Sequence, residues 1–453
     1  MKHRGNLAII LAFLFSFGSW GRVQAAPVAK EPQPKTPIQH LVVLMQENHT
    51  FDNYFGTYPG ADGLPADAKM PMNPKDPNSG YELPWHIGMY ATTDLSHSAA
   101  TFRDQYDGGK MDGFISALLQ RNQDGRLAMG YYDGRDIPYY WNLADNYVLF
   151  DRFFSSARDG SGANHLYWVS GTAPKVNGNQ NLANAMANIP TIFDRLQVAG
   201  ISWKFYVQNY DPTITYRDLG NIGNRESQVI WVPLLNIDRF IDSPALSSHI
   251  VDLSQYYIDL QSGNLPSVSY IVPSGDSEHP PSSLLSGQLF TKNLIQELMR
   301  STAWNSSAFF LAYDDWGGWY DHVTPPQVDA NGYGLRVPVL LVSPYALKGN
   351  VNHTQLDFTS FLKFIEENWN LAPLADRDSK ANDFLSAFDF TQQPRQPEYL
   401  PLTRQNSVSA KTSPTLVIYS AYGLALSLSV LVIGFAFVSA LWLRRRSKNE
   451  VIR

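Results

Sequence analysis

The sequence predicts an α/β protein with a mostly parallel central sheet, helices on both faces and a membrane-spanning helix near the carboxyl end. Three observations carry this. Short, nearly continuous apolar runs of strand length recur at 38–45, 201–207, 268–272, 308–313 and 337–342, the pattern of strands covered on both sides. Amphipathic stretches at 192–198, 289–299 and 358–369 lie among them, and strands alternating with helices favour parallel pairing. Residues 416–443 carry no charge over about 28 positions, enough to cross a bilayer of roughly 30 Å with some tilt.

In chain order, Lys2, His3 and Arg4 precede an apolar run at 7–17, and Val23-Gln24-Ala25-Ala26 offers the small residues that a signal peptidase reads. Residues 1–25 are therefore expected to be an export signal, the run being short for an uncleaved anchor. Residues 26–37, rich in proline and lysine, read as a linker, and 38–400 as the main domain. Within it, 56–84 and 206–233 are rich in Gly, Pro, Asn and Asp and read as functional or binding loops. Asp357 stands where a cap is needed for the helix starting near Phe358, which carries Phe358, Leu362, Ile365 and Trp369 on one stripe. Residues 401–414 read as a polar stalk, 415–443 as the transmembrane helix and 444–453 as a basic cytoplasmic tail. Arg444, Arg445, Arg446 and Lys448 hold that tail inside, which leaves the main domain exported, on a single span, outside the cytoplasm.

Hydrophobic residues make up 44% of the 453 positions and charged residues 17%, a globular composition. The net charge of −6 provides no basic footprint, so nucleic acid is not an expected partner. With no cysteine, thiolate metal sites, thiol nucleophiles and disulfides are excluded. Any metal must be held by carboxylates, amides or imidazoles.

Ligands of open α/β sheets lie beyond the carboxyl ends of the strands. The first strand runs into Gln46-Glu47-Asn48-His49, and the strand at 308–313 runs into Asp314-Asp315. If those strands are neighbours, Glu47, Asn48, Asp314 and Asp315 form a hard-oxygen shell for a divalent cation of unspecified identity. Taken singly, such residues are more often caps or solvated loop positions. His97, His279 and His322 lie in segments dense with Asp, Glu, Gly and Pro, where an imidazole can ligate metal, hold phosphate or protonate a leaving group, or can be structural. Ser161, between two glycines at the start of an apolar run, is either a helix cap or a nucleophile beside helix N–H donors. Spacing alone does not choose. Tyr54, Phe55, Tyr58, Trp85, Tyr90, Tyr131, Tyr132, Tyr139, Tyr140 and Trp141 are available for a membrane interface or for the core.

Glu47-Asn48-His49-Thr50-Phe51-Asp52-Asn53-Tyr54-Phe55-Gly56, following its apolar strand, resembles the opening signature of the bacterial phosphoesterase family. Four further blocks resemble that family in the same order: 94–97 with 109–114, 154–172, Glu278-His279-Pro280 and 313–322, and the stretch 336–369 matches as well. The resemblance runs from 38 to about 374. It implies an alkaline phosphatase-like fold and a metal-dependent hydrolase of the nonspecific phospholipase C or acid phosphatase type. It further implies Glu47, Asn48, Asp314 and Asp315 as metal ligands and Ser161 as nucleophile. His97, His279 and His322 would then touch the phosphate or leaving group, and Asn164 and His165 the substrate. Two departures stand out: the family's threonine with Pro-Asn-Arg is Ser161 with Gly162-Ala163-Asn164-His165 here, and the Asp-His pair near the last helix is Asp357-Phe358. The expected partner is a phospholipid, cleaved to diacylglycerol and a phosphorylated headgroup, or a soluble phosphomonoester. A surface binding protein on the same scaffold is the third reading, and the oligomeric state is not legible.

Overall fold

The computed structural model describes residues 31–175, 179–218 and 227–404. Eight strands form the main sheet: β1 (His40–Gln46), β2 (Val148–Phe150), β3 (Trp203–Val207), β4 (Ile250–Asp252), β5 (Val268–Val272), β6 (Ser307–Tyr313), β7 (Val339–Val342) and β8 (Asn350–Asn352). Their spatial order is β8-β2-β7-β6-β1-β5-β3-β4. β5, β6 and β7 are buried along their whole length, and β1 everywhere but His40, which is why they read as unbroken apolar runs.

The expected mostly parallel sheet is found, with one correction. β7 runs antiparallel to both β6 and β2, so the sheet is mixed. Burial on both faces erases the alternation that would have marked its direction. The three-residue strands β2, β4 and β8 were not anticipated, because so short a segment carries no period.

Six helices matter to the site: α1 (Phe51–Phe55), α2 (Ser161–Ser170), α3 (Ile192–Ala199), α4 (Ser254–Ser262), α5 (Leu284–Arg300) and α6 (Thr359–Trp369). Alternate residues of β3 show that they cover both faces. Phe205 meets Trp168 of α2 edge-on at 5.7 Å, whereas Tyr206 meets Tyr256 of α4 at 5.5 Å. Trp168 also stacks on Tyr270 of β5 at 4.0 Å, and Phe310 of β6 meets Phe361 of α6 at 5.2 Å. On the opposite face, the Tyr256 hydroxyl donates to Leu294 O of α5. α3 begins with a reciprocal cap in which the Thr191 and Asp194 side chains each take the other's backbone N–H.

Asp357 meets the start of α6 as expected, its carboxylate accepting the Thr359 backbone N–H and its carbonyl the Ser360 N–H at 2.9 Å. Its buried carboxylate takes the hydroxyls of Ser156 and Thr359 and faces Arg377 at 3.3 Å, tying the loop before α2 to α6. The end of the linker is docked rather than free, since Thr36 donates to Asn368 Oδ1 of α6 at 2.8 Å. The described residues up to Leu402 belong to one compact unit. Among the described residues no helix is long and apolar enough to cross a membrane. The export signal at 1–25 and the span at 415–443 lie outside the described residues.

Candidate active site

β1 and β6 are parallel neighbours with Gln46 opposite Tyr313, so the next residues, Glu47 and Asp314, emerge side by side at the carboxyl edge of the sheet. Beyond them the backbone turns sharply. Asn48 adopts a left-handed φ of +64°, and its N–H donates to Asp314 Oδ1 at 3.1 Å. Gly317 at φ +56° lets the second turn pass over the first, where a Cβ would stand 2.3 Å from Asn48 O. Facing this edge, α2 begins at Ser161, and His165 projects from the same side one turn later.

The two segments converge. Ser161 Oγ lies 3.3 Å from Glu47 Oε2 and 3.3 Å from Asp315 Oδ2. Glu47, Asn48, Asp314 and Asp315 are all buried. Burial, reinforced by the Asp314 charge, pushes the carboxyls of Glu47 and Asp315 well above the usual carboxylate range. Asp314 Oδ2 is buried without a hydrogen-bond partner among the described residues, a costly arrangement unless positive charge stands there.

The Asn48 amide fits two states. One of its terminal atoms lies 3.2 Å from both Asp314 Oδ1 and Asp315 Oδ1, and the other lies 2.8 Å from His279 Nε2 and 3.4 Å from His97 Nε2. Nitrogen toward the carboxylates suits an empty shell, and oxygen toward them suits a cation. A set of three carboxylates, an amide oxygen and a hydroxyl has the chemistry to hold a hard or borderline divalent ion.

His97 and His279 share a device. The Nδ1 of each donates to a carbonyl at 2.7 Å, Leu95 O and Pro280 O respectively, which directs Nε2 toward Asn48. Their ring centroids are 5.7 Å apart. Together with Glu47, Asp159, Ser161 and Trp231 they line a cleft of about 590 Å³. A Cβ added to Gly162 would meet nothing within 4 Å, so the first turn of α2 opens into that space. Backbone N–H groups at a helix start are ready donors to an anion.

Three expected positions differ. His322 stands apart from Ser161: its Nδ1 and backbone N–H both contact Asp52 Oδ2 at 2.7 Å, beside the buried Arg336, which pairs with Asp52 and Asp321 at 2.9 Å each. Burial would lower its pKa, but the Asp52 carboxylate raises it instead. Asn164 does not face the cleft. Its Oδ1 accepts from Ala157 N–H at 2.8 Å and its Nδ2 donates to Asp159 O at 2.9 Å, fastening the loop that presents Ser161. His165 is fully buried, with Nε2 3.3 Å from Glu47 Oε1 and 3.8 Å from Asp314 Oδ2. It joins the carboxylates rather than the open cleft, and its four-residue spacing from Ser161 was the signal for that.

Sequence reasoning also missed Glu278, a fully buried carboxylate that accepts from the hydroxyls of Tyr54 (2.6 Å), Tyr313 (2.7 Å) and Tyr140. No spacing relates those four positions. Of the aromatic residues available for an interface, Tyr54, Phe55, Tyr132, Tyr139, Tyr140 and Trp141 are core instead, while Tyr90 is exposed.

A family model described as the Phosphoesterase family matches residues 38–372. Phospholipase C A of Mycobacterium tuberculosis is 28% identical, with 82% of each chain covered. Non-specific phospholipase C1 of Arabidopsis thaliana is also 28% identical, over 88% of this chain and 80% of that one. Among solved structures, a protein in the alkaline phosphatase superfamily from Vibrio parahaemolyticus superposes with a TM-score of 0.38 at 10% identity, covering 78% of this chain and 72% of the other.

Proposed function

Starting from the premise that this chain belongs to the phosphoesterase family and hydrolyses phosphate esters, we propose that it is a membrane-tethered phospholipase C acting through Ser161. The observation that carries this reading is the Ser161 hydroxyl, held 3.3 Å from two buried carboxylates at the amino end of α2. The relatives named phospholipase C support the lipid substrate. So does the exposure of Leu83, Met89 and Tyr90, apolar side chains suited to a lipid surface. A cavity of about 620 Å³ lined by Phe102, Tyr106, Leu166 and Tyr167 shares Asp159, Gly162 and Ala163 with the serine cleft, which leaves room for a bulky leaving group. Residues 415–443 carry the tether in this reading, and the main domain works outside the cytoplasm.

In the proposed reaction Ser161 Oγ attacks phosphorus in line with the departing alkoxide, its proton passing to solvent in the cleft, and the serine oxygen takes a proton back when the phosphoserine is hydrolysed. A divalent ion held by Glu47, Asn48, Asp314 and Asp315 would supply positive charge that favours the serine alkoxide and offsets charge on the transferring group. The N–H groups of the first α2 turn donate to phosphate oxygens. Protonated Nε2 of His97 or His279 gives its proton to the leaving alkoxide, and the resulting imidazole then takes one from the water that hydrolyses the phosphoserine.

The test compares wild type with Ser161→Ala for release of diacylglycerol from phosphatidylcholine vesicles and of phosphate from a small monoester. The variant is expected to fold and to lose at least about a hundred-fold in turnover. Retention of more than about a tenth of wild-type activity would rule out Ser161 as nucleophile. Phosphate release without diacylglycerol release would favour the acid phosphatase reading.

A further inference from the structure

No step above uses His165, yet its ring is held from both ends. Nδ1 lies 3.0 Å from Trp231 O, and a carbonyl only accepts, so the ring proton sits on Nδ1 and Nε2 carries a bare lone pair. That lone pair faces Glu47 Oε1 at 3.3 Å and Asp314 Oδ2 at 3.8 Å. Asp314 Oδ2 is the carboxylate oxygen left without a hydrogen-bond partner among the described residues. Once Glu47 is ionised, three acceptors converge in a fully buried place and repel unless a positive charge joins them, so a cation would take the place of the proton that burial otherwise holds on Glu47.

The spacing suits coordination. Donor atoms bonded at about 2.1 Å to one ion stand about 3.0 Å apart at neighbouring octahedral positions and about 3.4 Å apart in a tetrahedron. Glu47, His165 and Asp314 each offer an atom within 4.8 Å of the others, so small side-chain adjustments close the set. A ligating imidazole usually donates its other ring N–H to a carbonyl or carboxylate, which fixes its tautomer and orientation. The Trp231 carbonyl fills that role here.

We propose that His165 Nε2 is a further ligand of the cation held by Glu47, Asn48, Asp314 and Asp315. The mixed nitrogen and oxygen shell then favours a transition-series divalent ion over calcium or magnesium. This inference rests on the metal-dependent reading of the site given above. It also assigns a role to the chain's departure from the family pattern at His165, one turn beyond the nucleophile.

Mn²⁺ alone is the probe, added to the full chain. Pulsed electron paramagnetic resonance of the wild type is expected to show coupling to a directly bound imidazole nitrogen. His165→Gln should lose that coupling and bind Mn²⁺ at least about ten-fold more weakly. Because a buried substitution can prevent folding, a His97→Ala/His279→Ala double variant serves as the second arm, and it should keep the coupling. Mn²⁺ bound by wild type in an all-oxygen shell overturns the assignment and leaves the metal site standing. The same holds if the coupling survives in folded His165→Gln or vanishes in the double variant. Failure of folded wild type to bind Mn²⁺ overturns the site and the inference together.

Discussion

Glu278 sits fully buried with no ion-pair partner among the described residues, and burial pushes its carboxyl up to about 7 although three tyrosine hydroxyls favour the charged form. A raised folded-state pKa means the folded protein keeps a proton that the unfolded chain has lost. That stabilising contribution is complete below about 4.5, the ordinary glutamate value, and is lost as pH rises through about 7. Glu47 and Asp315 are shifted in the same direction, so metal-free protein should melt at progressively lower temperature as pH rises across this window. Glu278→Gln should flatten part of that slope in thermal melts followed by circular dichroism, and an unchanged slope would show that Glu278 is ionised in the fold. At this scale the sequence disclosed chemistry better than contacts. Glu47, Asn48, Asp314 and Asp315 were legible because each follows an apolar strand. The loop-fastening amide of Asn164 was not, since a buried asparagine bonding backbone has the same letter as one holding a ligand.

The elements were legible in proportion to their length and regularity. β1, β5 and β6 stood out as apolar runs, and α6 as a stripe, whereas β2, β4 and β8 are too short for any pattern. The direction of β7 was hidden because both its faces are covered. α5 starts at Leu284, five positions before its expected start at 289, and includes Gly287, a poor helix former. The structure explains that glycine. A Cβ on Gly287 would lie 2.2 Å from Glu278 Cγ and 2.3 Å from Glu278 Oε1, so only glycine lets α5 press against the carboxylate. Gly287→Ala is therefore expected to cost about 1–3 kcal/mol in denaturant titrations despite its better helix propensity. It should also displace the neighbouring His279, raising KM for substrate, and full stability with unchanged kinetics would contradict this account.

At the scale of the whole chain, the unit ending at Leu402 contains the entire sheet and every residue assigned to the reaction. A chain truncated after Leu402 is expected to hydrolyse a soluble monoester as the full chain does, while only the full chain sediments with membranes. Loss of the soluble activity would mean that the remaining residues are needed for more than tethering. The sheet order has one more consequence. β1, made first, lies between β5 and β6, made last but for two strands, and Gln46 finds its register only against Tyr313. Such distant pairing is slow, because a long loop must close before any contact rewards it. A nascent chain thus lacks a complete carboxylate cluster until synthesis has passed Asp315, so no partially made copy can hydrolyse phosphate esters.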